Sequence, residues 1–478
     1  MENSILFDIL GSFTKTEMKE FDDLVCSGYF NRKSAVVKLW KVVSKGSDKL
    51  ISEETGREII YKKIFPGKKF NYGTLKNLIY DLTRLAEKFI ELKTYGRRTA
   101  VRELNLCEGL LERGLGKVFE RVMARTEITL EKNKDVTGYH SNKYLAEVLK
   151  QNYMIQQDRH YQTAGSIKTV NDNLTMGYFI DIIDNNYNWI FMQGEINVPA
   201  KNDFLVRFLE YYRNTPVEKD IITKIYYLAF MLVYEEDASY FYELKELLEN
   251  NLGSLSGEQK YNFFVALANF CQKKIESGIT DFAQHEYGIY RFMIDNSIYS
   301  IDKVKNMDGA FYKNVAGSAV SAGEIKWAKT FIDTYKTMLE PEVMDNYYCH
   351  AMIEFTMKQK KFNETLKYLS KIKHTNFVDK LNIRRWELIT AYELEHFEEI
   401  RYLIDSSKHF IQNDTKISDL KKLRFSGFLN IVNRLLSFRE LKKGKNDVIY
   451  SAGLLKQEVE KTDTPHKDWM LEKINELN

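Results

Sequence analysis

Lys313, His350 and Arg385 are the residues whose types and spacing point most directly to chemistry. From 313 to 350 is 37 residues and from 350 to 385 is 35, close to the period of about 34 residues of a tetratricopeptide repeat. Two cations and a protonatable ring in one register would form a ladder on a groove wall, with Glu354 and Tyr392 nearby. Such a ladder holds an acidic peptide through charge-assisted hydrogen bonds. His350 would complete the basic row once protonated, below about pH 6.5. The expectation is a partner-binding groove made by Lys313, His350, Glu354, Arg385 and Tyr392.

Catalytic chemistry has no comparable pattern. The chain carries no HExxH, no GxSxG elbow, no P-loop and no GxGxxG, the spacings that zinc, a nucleophilic serine or a phosphate would require. Gly67-Lys68-Lys69 and Gly116-Lys117 lack the upstream glycine and the following Ser or Thr of a phosphate cradle. Cys349 and His350 are adjacent, so on a helix they point about 100° apart and do not share a metal. His140 and His160 read as loop or helix-end residues. The expectation is a non-enzymatic protein with no metal and no cofactor.

The elements that position the groove residues are helices. With 44% hydrophobic and 29% charged residues, the chain has apolar mass for a core and too much of it for disorder. Only 5 prolines interrupt 478 residues, which favours long helices joined by tight loops. The 30 Tyr and 29 Phe suit the wide gaps between stacked helices. The net charge of +3 implies no polyanion partner for the whole chain. Residues 1–98 hold 19 Lys/Arg against 13 Asp/Glu, a balance of +6, and the remainder balances at −3. Four cysteines without a CxxC pair, an acid at position 2 where a signal peptide needs basic residues, and an apolar run at 225–234 about half as long as a bilayer span predict a cytoplasmic, non-membrane protein.

Up to residue 98 the pattern predicts a four-helix domain, with helices over 12–29, 34–44, 52–65 and 72–92. In the last, Leu75, Leu78, Ile79, Leu82, Leu85, Phe89 and Leu92 fall three and four apart, an apolar stripe. From 99 to 478 the pattern becomes helical hairpins, the first over 102–113 and 116–132. Later pairs run 314–321 with 325–339, 347–358 with 362–372, and 383–394 with 397–408. In the second helices Ala328, Thr365 and Ile400 hold one docking position, again 37 and 35 residues apart. Only one of the three keeps the Ala that close backbone approach favours, so the repeat is degenerate. Residues 185–201, with Gly194 and Pro199, read as a loop.

The segments Gly28-Tyr29-Phe30-Asn31, Ile60-Tyr61-Lys62-Lys63-Ile64-Phe65-Pro66-Gly67-Lys68-Lys69-Phe70, Asn314-Val315 and Trp469-Met470-Leu471-Glu472-Lys473-Ile474 resemble, nearly end to end and in that order, a family of bacterial tetratricopeptide-like helical-repeat proteins. The resemblance implies that fold and a bacterial cytoplasmic origin, and supplies no functional residues. Residues 52–92 also look like the helix-turn-helix of bacterial activators that carry a helical repeat behind a winged helix. That would place Lys76, Asn77, Tyr80, Arg84 and Lys88 on nucleic acid, although only 93–98 remain for a wing. The expectation is an all-α chain, an α-solenoid of degenerate tetratricopeptide-like hairpins behind an N-terminal helical domain, acting as a protein- or peptide-binding scaffold. The alternative is a DNA-binding regulator whose repeat senses a ligand.

Overall fold

The computed structural model describes residues 5–44, 54–132, 138–196, 203–214, 221–299, 306–373, 377–440, 445–462, 464 and 466–477. Among them are twenty-three α-helices and three short 3-10 turns, and 83% of the described residues are helical. One isolated bridge, Ile196 to Ile417, is the extent of β pairing among the described residues. The chain is all-α, as the proline scarcity and helical periodicity predict.

Two compact units divide it: residues 1–134 with 140–171, and residues 135–139 with 172–478. The 102–132 hairpin, which the sequence pattern groups with the repeats, therefore lies in the first unit. That unit holds α1 (Ile5–Gly11), α2 (Lys15–Cys26), α3 (Ser34–Val43), α4 (Glu54–Ile64), α5 (Tyr72–Arg97), α6 (Thr99–Glu112), α7 (Gly116–Lys132) and nearly all of α8 (Tyr139–Gln156). Helix α2 starts later than position 12 because Thr14 and Glu17 form a reciprocal capping box, satisfying free N–H groups that Ser12 does not reach. The α5 stripe is buried as its spacing predicts, with Leu75, Leu78, Leu82 and Phe89 in the core. Phe21 packs at its centre, its ring 4.8 Å from Trp40 and 5.6 Å from Phe89. Burying each of these large side chains contributes about 1.5–3 kcal/mol.

The second unit holds most of α9 (Ile167–Glu195), then α10 (Asp203–Asn214), α11 (Ile221–Tyr234), α12 (Ala238–Asn250), α13 (Gly257–Glu276), α14 (Phe282–Asp295), α15 (Gly309–Ser321), α16 (Ile325–Tyr335), α17 (Pro341–Lys358), α18 (Phe362–Leu369), α19 (Phe377–Glu393), α20 (Phe397–Asn413), α21 (Asp419–Glu440), α22 (Lys445–Lys461) and α23 (Lys467–Asn475). Two sequence boundaries are corrected. Helix α9 runs on to Glu195, so the start of the expected 185–201 loop is helical; residues 197–201 lie outside the described residues. Pro341 opens α17 at its first position, where its missing N–H has no helical partner to lose, so α17 begins well before 347.

Within this unit consecutive helices pack on one another, and α11 on α13, α15 on α17 and α19 on α21 touch as well. The hairpin turns repeat. Gly323, Lys360 and Glu395 each take positive φ, at 83°, 57° and 60°, and stand 37 and 35 residues apart. Each turn closes with the same pair of backbone bonds. Glu324 N–H donates to Ala319 and Gly323 N–H to Val320; Lys361 donates to Thr356 and Lys360 to Met357; His396 donates to Ala391 and Glu395 to Tyr392. This is the left-handed helix C-cap that satisfies terminal carbonyls. It starts the next helix at Ile325, Phe362 and Phe397, which puts Ala328, Thr365 and Ile400 at the fourth residue of each, all fully buried. Thr365 fits that apolar position because its hydroxyl pairs with that of Thr356 at 2.8 Å.

Candidate functional site

The residues picked out by spacing fall on the first helices of these hairpins: Lys313 on α15, His350 and Glu354 on α17, Arg385 and Tyr392 on α19. Three of them converge. Lys313 donates from Nζ to Asp379 Oδ1 at 2.6 Å, and Asp379 is 1% exposed. His350 and Glu354 are one turn apart on α17, and the charge of Lys313 acts on both.

The expectation that His350 stands exposed on a groove wall is corrected. It is 2% exposed, its ring edge-on to Trp386 with centroids 5.5 Å apart. Burial, reinforced by Lys313 and opposed by Asp379, holds it down to about 4. It is neutral at pH 6.5 and completes no basic row there. Neither ring nitrogen has a hydrogen-bond partner. Tyr392 is corrected too. It is fully buried, with Trp469 edge-on at 5.4 Å and the Arg439 guanidinium 4.7 Å over its ring, so it belongs to the core.

Glu354 is half-buried, without a hydrogen-bonding partner among the described residues, and its carboxyl is pushed up to about 7 by burial against the opposing pull of Lys313. Its carboxylate lies over Gly317 of α15, where a Cβ would collide with it. Arg385 is also half-buried, donating to the Leu381 carbonyl at 3.4 Å and to Asn382. Burial takes it down to about 10, while Glu276 favours its charge.

Sequence spacing alone did not single out Glu286, Glu276, Asp379, Arg424 or His466. Glu286 of α14 is 8% exposed, and burial followed by the charges of Glu354 and Glu276 raises it to about 8. The signal for it is legible in retrospect: an acid sits within the buried stripe of Phe282, Ile289, Tyr290 and Met293. Glu276 pairs with Arg424 at 3.6 Å. His466 reaches solvent, yet desolvation, then Arg385, lowers it to about 3. Glu354 and Arg385 are half-buried and His466 is exposed, so all three reach water. Glu286, Glu354, Glu276, Arg385 and His466 form one electrostatically connected row within the second unit.

No three His, Cys, Asp or Glu converge closely enough to hold a metal ion among the described residues. All four cysteines are free, and no described helix is long and apolar enough to cross a membrane. On α5, Lys76, Asn77, Tyr80 and Arg84 are exposed, Tyr80 at 63%, and Lys88 is half-buried. Arg84 pairs with Glu87 at 3.7 Å and Lys88 with Glu91 at 2.7 Å, so acids on the same helix offset part of that charge. Helix α6 begins two residues after α5 ends, which leaves no room for a β-hairpin wing.

The comparisons with known proteins return nothing: no family model, no curated protein and no solved structure matches the chain.

Proposed function

We propose that the second unit is a short solenoid of degenerate tetratricopeptide-like hairpins, and that the protein is a non-enzymatic scaffold binding a protein or peptide segment in the recess along its first helices. One observation carries this reading: Glu354, Arg385 and His466 come from three parts of the chain and share one poorly solvated, water-reaching row. Perturbed titration gathered in one place makes a functional-site candidate, and concavity lets several side chains converge on one ligand. The free thiols agree with the reducing cytoplasm that the family resemblance implies.

A peptide library of mixed charge, read by fluorescence anisotropy, tests it. Binding by at least one charge class should weaken about tenfold with Arg385→Ala. The half-buried Lys329→Ala, on the far helix α16 where Lys329 pairs with Asp333, should leave it unchanged. Equal effects of the two substitutions would refute the recess. The alternative, DNA recognition by α5, draws on exposed Lys76, Asn77, Tyr80 and Arg84 with half-buried Lys88. Failure to be retained on duplex DNA at low salt would remove it.

A further inference from the structure

The positive charges near Glu286, Glu354 and Glu276 are already committed. Lys313 is bound to Asp379 at 2.6 Å, Arg424 lies 3.6 Å from Glu276, and Arg385 is engaged with Asn382 and favoured by Glu276. What remains is acidic. Glu286 and Glu354 stand on α14 and α17, which both pack on α15, and neither carboxyl has a hydrogen-bonding partner among the described residues. Glu286 is more than nine-tenths buried. Beside them His350 is buried with both ring nitrogens unbonded. Leaving a buried polar group unsatisfied costs about 1–3 kcal/mol, and native proteins keep few of them without a reason. Gly317 keeps α15 bare where the Glu354 carboxylate lies.

We propose that the recess between α14, α15 and α17 receives a cationic side chain, the guanidinium or ammonium of a basic peptide, held by Glu286 and Glu354. The proposal rests on the peptide-binding reading above and replaces the acidic peptide expected from the Lys313–His350–Arg385 spacing with a basic one. A guanidinium presents five donors in a planar fork that matches carboxylates, and charge-assisted bonds of this kind are the strong ones. The absence of three converging metal ligands among the described residues makes an extended organic cation the better fit. Burial holds both carboxyls above the ordinary range, and the charges of Glu354 and Glu276 add to it at Glu286; a cation between them would oppose that shift. A bound cation would ionise them, with protons released to solvent.

Isothermal titration of the full chain tests this with three probes: a short peptide with two arginines in a Gly/Ala background, the same peptide with two glutamates, and spermidine. The arginine peptide should bind, and Glu286→Gln with Glu354→Gln should weaken it at least about tenfold while circular dichroism is unchanged. No binding of the arginine peptide, or equal binding by the double variant, overturns the proposal. Preference for the glutamate peptide overturns the basic partner and leaves the recess as a peptide site; silence from both peptides overturns the recess as well. Spermidine binding as tightly as the arginine peptide would make the ligand a free polyamine and overturn the peptide side chain.

Discussion

Lys473 and His350 are both buried polar side chains of the second unit, and they are provided for on opposite terms. Lys473, 5% exposed as a side chain, reaches Glu393 at 2.9 Å, Glu476 at 2.7 Å and Glu472 at 3.2 Å. Its neighbour Trp469 donates to Glu393 at 2.7 Å, and Met470 and Ile474 are fully buried. This cluster closes on itself and fastens α23, so the Trp469–Ile474 segment reads as a structural latch. Around His350 the bonds are missing, and burial raises the Glu286 and Glu354 carboxyls above the ordinary range. A satisfied buried network specifies a structure; an unsatisfied one costs stability and calls for a ligand.

The largest expected effect breaks the latch. Lys473→Met leaves Glu393 poorly exposed and short of its cation, and should cost about 3–5 kcal/mol in urea unfolding; a loss under about 1 kcal/mol would show the network to be ornamental. Lys313→Glu comes next. Sequence spacing makes it a clean surface reversal that spares stability, but the pair with buried Asp379 turns it into two acids facing each other. It should lower stability by about 3 kcal/mol, and an unchanged melting temperature would put Lys313 back on an open wall. The smallest effects concern the turns that carry both clusters. Gly323→Ala at φ 83° should cost about 1 kcal/mol. Glu395→Gly should change stability by no more than about 0.5 kcal/mol, because relief at φ 60° is offset by the exposed pair that Glu395 makes with Arg439 at 3.0 Å.

The fold was legible where one local rule dominates. The 3.6-residue stripe of α5, the register of Ala328, Thr365 and Ile400, and the starts of α16, α18 and α20 all follow from periodicity and turn geometry. Boundaries failed where two rules competed: Pro341 can end one helix or open the next, and Asn185 to Glu195 is helical despite poor formers. The candidate site was legible only in its first-helix residues. Spacing finds Lys313, His350, Glu354 and Arg385, but it cannot tell a wall from a core, so His350 and Tyr392 were placed on the wrong side of that line. It also cannot see Asp379, which approaches Lys313 across 66 residues of chain.

The central claim is that Glu286 and Glu354 are kept for a ligand at the expense of stability, and unfolding free energy against pH tests it. Both carboxyls are raised in the folded state, so the native chain holds protons that the unfolded chain has lost. Their stabilising effect is full below the ordinary carboxyl range and fades as pH rises through about 7 and 8. His350 and His466 are lowered, so they slope the other way, but only below their ordinary value of 6.5. The groups facing the pair are Glu276, Cys271 and Tyr290 beside Glu286 and Lys313 beside Glu354; burial raises Cys271 and Tyr290 from ordinary values of 9.0 and 10.0, above this window. Over that window the wild-type chain should lose roughly 2–4 kcal/mol, while Glu286→Gln with Glu354→Gln should stay flat and be the more stable protein at pH 8.5. A double variant less stable than wild type at pH 8.5 would contradict the account, because the carboxyls would then be holding the fold together.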